Sequence, residues 1–263
     1  MFKLKSSYLM ISCLFTIISV VSKTLLAQPD AQVKISDNHA INQDSLFLDS
    51  LQYYLKIIQS ESGDLKTAQA YYKFGEFADK AAFKLSVDAL HEVHPRASGM
   101  YYDDDFISWP GLLPYTKIGI DIRWSHLGQM YYYGGEVYED ILKKYPKSKW
   151  AGHAAFKLLL LEKYDTEWEG DPKGPITEIK RLDSLIAHYP NSGVLPSMYL
   201  QKARDLIYLT KIFSGRYKDL GLNDPDRYEL YASETRNVLL EIITKYPNSN
   251  EATIANQLIE KQK

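Results

Sequence analysis

The sequence predicts an all-α protein, a right-handed solenoid of antiparallel helix hairpins interrupted by one long irregular aromatic loop. Three observations predict this fold class. A Tyr-Pro-x-Ser step occurs three times, apolar residues recur at helical spacing before each step, and alanines follow the step in the first and last copies. A single helix hairpin cannot bury its apolar face, whereas stacked hairpins share a continuous core.

The three steps begin at Tyr145, Tyr189 and Tyr246, so they are spaced by 44 and 57 residues. Proline lacks an N–H and clashes with helical geometry in the residue before it, so each step ends a helix. So short a connection makes the two flanking helices antiparallel. The serine at the end of each step is predicted to cap the returning helix by accepting from a free N–H in its first turn. These serines are Ser148, Ser192 and Ser249.

The helical-repeat domain is assigned to residues 44–263. It comprises a degenerate helix pair at 44–93, a loop insertion at 94–122, and repeats at 123–164, 175–213 and 226–263. The pair rests on helical periodicity alone. The insertion contains too many prolines and glycines for a regular helix, but its aromatic residues indicate packing against the helices. Asp224 or Asp226 is predicted to start the last repeat as a helix cap.

A helix that ends in Tyr-Pro-x-Ser and is followed by an alanine-rich helix resembles the tetratricopeptide-like repeats of bacterial envelope proteins. At repeat level, Tyr138 to Lys263 is similar to the outer-membrane β-barrel assembly lipoprotein and to the Tol–Pal coordinator family. The resemblance implies a helical-repeat protein of the cell envelope that acts by binding.

Residues 1–27 have the layout of a secretory signal peptide, with two lysines, an apolar run and small residues before the end. The apolar run of roughly 14 residues is shorter than the ~20 that a membrane-spanning helix needs. We expect cleavage after Ala27, with Ser22 as the other candidate. Lipidation of Cys13 stays open. Residues 28–43 are polar and unpatterned, which predicts a disordered leader. The expected location is the periplasm, and an association with the outer membrane is left open.

The charge balance argues against nucleic acid as a partner. Without the three lysines of the presequence, the chain has 28 basic and 33 acidic residues, a net charge of −5. The only cysteine, Cys13, lies in the presequence, so the mature chain has no thiolate for a disulfide or a metal. No cofactor is predicted.

The candidate binding residues are the aromatic side chains of the loop. Tyr101, Tyr102, Trp109 and Tyr115 are predicted to contact an envelope protein or peptide, because tyrosine and tryptophan anchor binding at a small entropic cost. A second aromatic cluster at Tyr131–Tyr133 is interpreted as core between helices. The sequence therefore favours a non-catalytic periplasmic scaffold or adaptor.

An envelope enzyme is the alternative function. His91, His94 and Asp104 have the residue types of a metal site, since two histidines three apart on a helix share a face. Pro95, however, places His94 at a helix end, where an imidazolium commonly just opposes the helix dipole. The Gly134-Gly135 pair has no predicted flanking strand, so it is interpreted as a close helix contact rather than a phosphate loop.

Overall fold

The computed structural model describes residues 43–60, 65–93, 103–165 and 170–261, and within these ranges the chain is mostly helical with little strand. The all-α prediction is confirmed at that level. The helices are α1 (Gln43–Gln59), α2 (Leu65–Glu92), α3 (Asp103–Ile107), α4 (Leu113–Thr116), α5 (Glu136–Lys144), α6 (Ala151–Leu161), α7 (Lys173–His188), α8 (Leu195–Lys211), α9 (Pro225–Lys245) and α10 (Asn250–Glu260). Short 3-10 turns lie at Pro110–Leu112, Glu162–Asp165 and Lys218–Leu220, and a π-helical turn lies at Ile212–Arg216.

The three Tyr-Pro steps end their helices with nearly the same backbone. The φ and ψ angles are −132° and 48° at Tyr145, −119° and 55° at Tyr189, and −131° and 49° at Tyr246. Each of these tyrosines donates its N–H to the carbonyl four residues earlier, and its own carbonyl accepts from the N–H of the serine three residues later. The predicted helix ends are therefore confirmed, and the same turn connects α5 to α6, α7 to α8 and α9 to α10.

The predicted serine caps are confirmed at only one of the three steps. Ser249 has an extended backbone, and its Oγ accepts from the N–H of Ala252 at 3.1 Å. The caps at Ser148 and Ser192 are wrong, because α6 starts after Trp150 and α8 starts after Val194, both in the helical region without a side-chain cap. In both cases the serine carbonyl accepts the N–H three residues later, which places an extra turn before the helix.

The last repeat starts at the first of its two predicted cap positions. Asp224 is the N-cap of α9, and its side chain accepts from the N–H of Arg227 at 3.1 Å. Pro225 follows as the first helical residue, where its missing N–H and fixed φ cost nothing. This prediction is confirmed in favour of Asp224.

The predicted irregular loop at 94–122 is largely ordered where the structure describes it. Residues 103–116 form α3, the 3-10 turn and α4, and a strand starts at Ile122. Strand β1 (Ile122–Ser125) pairs antiparallel with β2 (Met130–Tyr133), with Ile122 opposite Tyr133. The repeat predicted at 123–164 thus begins with a hairpin, because β-branched and aromatic residues fit a half-buried strand. Strand β2 also precedes Gly134-Gly135, so the expectation of no flanking strand there is wrong.

Neighbouring elements along the chain pack against one another. Helix α1 lies along α2, and α2 also contacts β2 and α5; the later helices then pack in order from α5 to α10. The largest apolar cluster joins α1, α2, the 103–122 segment, the β-hairpin and α5. Tyr131, Tyr132 and Tyr133 are 1%, 8% and 2% exposed, so their interpretation as core is confirmed, although they lie on a strand rather than between helices.

Candidate functional site

The loop aromatics predicted to bind a partner are not at the surface. Trp109 is 8% exposed and Tyr115 is 2% exposed. The Trp109 ring stacks on Tyr131 with centroids 6.0 Å apart, and its Nε1 donates to Glu92 at 3.0 Å. Both rings therefore lie in the core beneath α2, and this burial argues against the contact role predicted for Trp109 and Tyr115. Tyr101 and Tyr102 lie outside the described residues.

Close packing around Trp109 holds its ring in the core and away from the surface. A Cβ on Gly111 would lie only 2.4 Å from the nearest atom of the Trp109 ring, so only glycine lets the backbone fold over the indole. The Phe106 ring stacks on Trp124 at 4.0 Å, and Tyr131 Oη donates to the Phe106 carbonyl at 2.6 Å. These contacts hold the 103–116 segment on the β-hairpin.

The described residues give no support to the metal site of the alternative function. The side chains of His91 and Asp104 are exposed, and His94 lies outside the described ranges. Asp103 accepts from Trp124 Nε1 at 2.8 Å and pairs with His126 Nδ1 at 2.5 Å, so it anchors the hairpin. Across residues 43–60, 65–93, 103–165 and 170–261, no group of three or more His, Cys, Asp or Glu side chains could hold a metal ion.

A different set of side chains meets on a partly exposed surface between α2 and the region of α6. Three residues on α2 at helical spacing face three residues from the start and body of α6. We call this set the α2–α6 surface. Its members are Tyr72, Glu76, Asp79, Trp150, His153 and Lys157.

Its centre is a charged pair that remains in contact with solvent. Lys157 Nζ donates to Asp79 Oδ2 at 2.7 Å, and Tyr138 Oη donates to the same oxygen at 2.9 Å. The Lys157 side chain is 32% exposed and that of Asp79 is 22% exposed. Burial alone would lower the pKa of Lys157, but the charge of Asp79 and its hydrogen bond outweigh burial and raise it. Lys157 therefore keeps its positive charge at physiological pH.

Aromatic rings lie at one end of the same surface. The rings of Tyr72 and Trp150 stack with centroids 4.7 Å apart, and His153 meets the edge of Tyr72 at 5.3 Å. Lys149 Nζ lies 4.9 Å from the Trp150 centroid. Burial lowers the pKa of His153 and so favours its neutral form. The surface thus combines a half-buried indole, a neutral imidazole and a fixed ion pair, which suits contact with a polypeptide.

The sequence reasoning missed this surface because its parts are far apart along the chain. Asp79 and Lys157 are 78 residues apart, and only Lys157 lies inside an apolar helical stretch, since Asp79 has Glu76 and Lys80 as near neighbours. A charged residue within an apolar stretch is a local signal for Lys157 alone, because a buried charge needs a partner. Which partner each takes is decided only by the fold.

Comparison with known protein families, curated proteins and solved structures finds no match for this chain. The site therefore has to be interpreted from its own geometry. Within the described part of the chain, no helix has both the length and the apolar character needed to cross a membrane.

Proposed function

We propose that this chain is an exported, non-catalytic scaffold or adaptor that binds a protein or peptide partner in the cell envelope. In this proposal the helices form a right-handed, tetratricopeptide-like solenoid of hairpins. The three Tyr-Pro-x-Ser turns of matching backbone and the packing of α5 to α10 in chain order support that architecture. The layout of residues 1–27 supports export to the periplasm.

The α2–α6 surface carries the binding proposal. Trp150 is half-buried, so its ring is rigidly held by Tyr72 while part of it stays accessible. Rigid aromatic side chains lose little conformational entropy on binding and are frequent anchors of interfaces. Lys157 and Asp79 beside it offer fixed charges that orient a partner. Binding is therefore proposed at the α2–α6 surface and not at the loop aromatics.

Site-specific photo-cross-linking in cells tests the proposal. A cross-linker replaces Lys149, which is exposed and directly precedes Trp150; the matched control replaces Asn250, which is exposed and lies at the same distance after its Tyr-Pro step. We expect a discrete adduct of higher mass from position 149 and much less from position 250. Trp150→Leu, checked for an unchanged fold by circular dichroism, should reduce the adduct from position 149.

Two outcomes would contradict this function. Equal adducts from positions 149 and 250 would show that the surface is not selective. Recovery of the monomer alone from position 149, and from Lys73 at the other edge of the surface, would show that no partner binds there. Cell fractionation tests export separately, since deletion of residues 2–27 should retain the protein in the cytoplasm.

A further inference from the structure

Two acidic side chains are buried together where three elements meet. Glu178 on α7 and Asp205 on α8 are each 4% exposed. Lys163, from the 3-10 turn that follows α6, reaches both of them. This position is a joint between the hairpin that contains α6 and the hairpin formed by α7 and α8.

The joint contains two carboxyl groups and one lysine in direct contact with them. Lys163 Nζ lies 2.5 Å from Glu178 Oε1 and 3.4 Å from Asp205 Oδ1. Gln201 Nε2 donates to Asp205 Oδ1 at 2.9 Å. Among the described residues, neither Asp205 Oδ2 nor Glu178 Oε1 receives a well-aligned hydrogen bond, although Lys163 is in ion-pair contact with the latter. One positive charge thus directly contacts two carboxyl groups that are both almost fully buried.

The two carboxyl groups also interact with each other. Both contact the same Lys163 Nζ, so their oxygen atoms lie close together in a buried site. A carboxylate only accepts hydrogen bonds, so a bond between two carboxyl groups requires a proton on one of them. Like charges this close cannot both ionise without a large cost, which is the reason that paired carboxyl groups share a proton.

Two arginines also lie near the joint. Arg181 on α7 makes a two-pronged ion pair with Glu162, with one of its contacts at 2.6 Å. Arg204 on α8 is attracted to both Asp205 and Glu251 of α10. Neither arginine is in hydrogen-bond contact with the acid pair, so neither takes the place of the missing second cation.

A cavity leads from solvent to the Glu178 side of the joint. It has a volume of about 250 Å³ and is lined by Glu178 and Lys163, together with Leu159, Lys173, Thr177 and Arg181. A cavity of this size with charged side chains in its lining admits water, so the joint can exchange a proton with solvent without unfolding. Burial raises the pKa of Asp205 to about 7; Lys163 opposes this rise and Glu178 adds to it.

We propose that Glu178 and Asp205 hold one proton between them, and that loss of the proton loosens the packing of α7 against α8. Removal of the proton leaves two carboxylates and one lysine, and the carboxylate on α7 then repels the carboxylate on α8. This proton-dependent contact goes beyond the proposed function and does not depend on it, because it concerns packing within the chain and not the partner.

The direction of the pH effect follows from the raised pKa of Asp205. The folded state holds a proton that the unfolded state releases at lower pH, so stability is lost as pH rises toward the folded pKa of about 7. Asp205→Asn mimics the protonated acid, because its amide oxygen can still accept from Gln201 and its NH₂ can donate to Glu178. This variant should lack the pH dependence of the joint.

Chemical denaturation between pH 5 and pH 9 tests the proposal on the full mature chain. We expect the folded-to-unfolded ratio of Asp205→Asn relative to wild type to rise by up to tenfold per pH unit between pH 5 and about 7, then to level off above pH 8. Asp183→Asn is the matched control: Asp183 is 52% exposed and paired with Lys202, so no such rise is expected. Glu178→Gln replaces the other carboxyl group of the pair with an amide. It should show the same pH-dependent rise, which gives an independent second measurement.

Hydrogen exchange of residues 201–209 tests the loosening itself. Corrected for intrinsic rates, protection in wild type should fall between pH 5.5 and pH 8, and Asp205→Asn should keep its protection. A pH-independent stability difference for both the Asn and Gln variants would overturn the shared proton. Equal protection at the two pH values in wild type would overturn the loosening.

Discussion

Replacement of Gly75 by alanine tests the packing of α2 against α5. Two opposing effects decide whether this substitution raises or lowers the free energy of unfolding. Gly75 lies inside α2, where alanine is favoured over glycine by roughly 0.5–1 kcal/mol. A Cβ at this position would lie 2.5 Å from Cε1 and 2.5 Å from Cζ of Tyr138, and 2.7 Å from its Oη. Tyr138 is 0% exposed, so its ring has no free space to move into.

The steric cost should exceed the gain in helix propensity. An extra methyl group in a well-packed core costs typically 1–3 kcal/mol. Movement of the ring would also strain the hydrogen bond from Tyr138 Oη to Asp79, and a bond to a charged group contributes about 1.5–3 kcal/mol. We expect Gly75→Ala to lower the free energy of unfolding by about 2 kcal/mol.

Urea denaturation with a double-mutant cycle gives the measurement. In a Tyr138→Leu background the ring is absent, so Gly75→Ala should be neutral or stabilise by up to ~1 kcal/mol. Ser233→Ala, at an exposed position of α9, is the control for propensity alone and should gain a few tenths of a kcal/mol. An increase in stability from Gly75→Ala in the wild-type background would refute the described contact between α2 and Tyr138.

Two further predictions concern the serine caps and the loop tryptophan. Ser249→Ala should destabilise the protein by about 1 kcal/mol, because it removes the hydrogen bond to the Ala252 N–H. Ser148→Ala should be neutral or stabilising, because the buried Ser148 Oγ has no hydrogen-bond partner among the described residues. Thermal melts of the two variants give the comparison. Trp109→Phe should lower stability by about 1 kcal/mol through loss of the bond to Glu92, yet leave the cross-linked adduct from position 149 unchanged. A reduced adduct would show that Trp109 contributes to binding of the partner.

Local signals in the sequence were sufficient for the C-terminal ends of the helices before the three Tyr-Pro steps. Tyr145, Tyr189 and Tyr246 each precede a proline, and the steric effect of proline acts on adjacent residues in any context. The serine caps were less predictable, because Ser249 and Ser148 occupy equivalent positions but only the first has an extended backbone that lets its hydroxyl reach the helix. One extra turn before the helix is enough to remove a cap.

The first half shows where local patterns were insufficient. Tyr131–Tyr133 fit a helix stripe and a strand equally well, and pairing with β1 decides in favour of the strand. Aromatic residues in the loop indicate either burial or binding, and only the contacts of Trp109 with Tyr131 and Glu92 distinguish the two. Short aromatic segments carry no periodicity that would separate these alternatives.

By itself the sequence determined the helical class, the three hairpin turns and the charge balance, because these depend on neighbouring residues and on composition. The tertiary structure decided the surface around Lys157 and Asp79 and the acid pair of Glu178 and Asp205. Both depend on side chains from different elements, 78 residues apart in the first case, and on burial that makes an unpaired charge costly. Which side chains meet in such contacts is decided only when the helices pack.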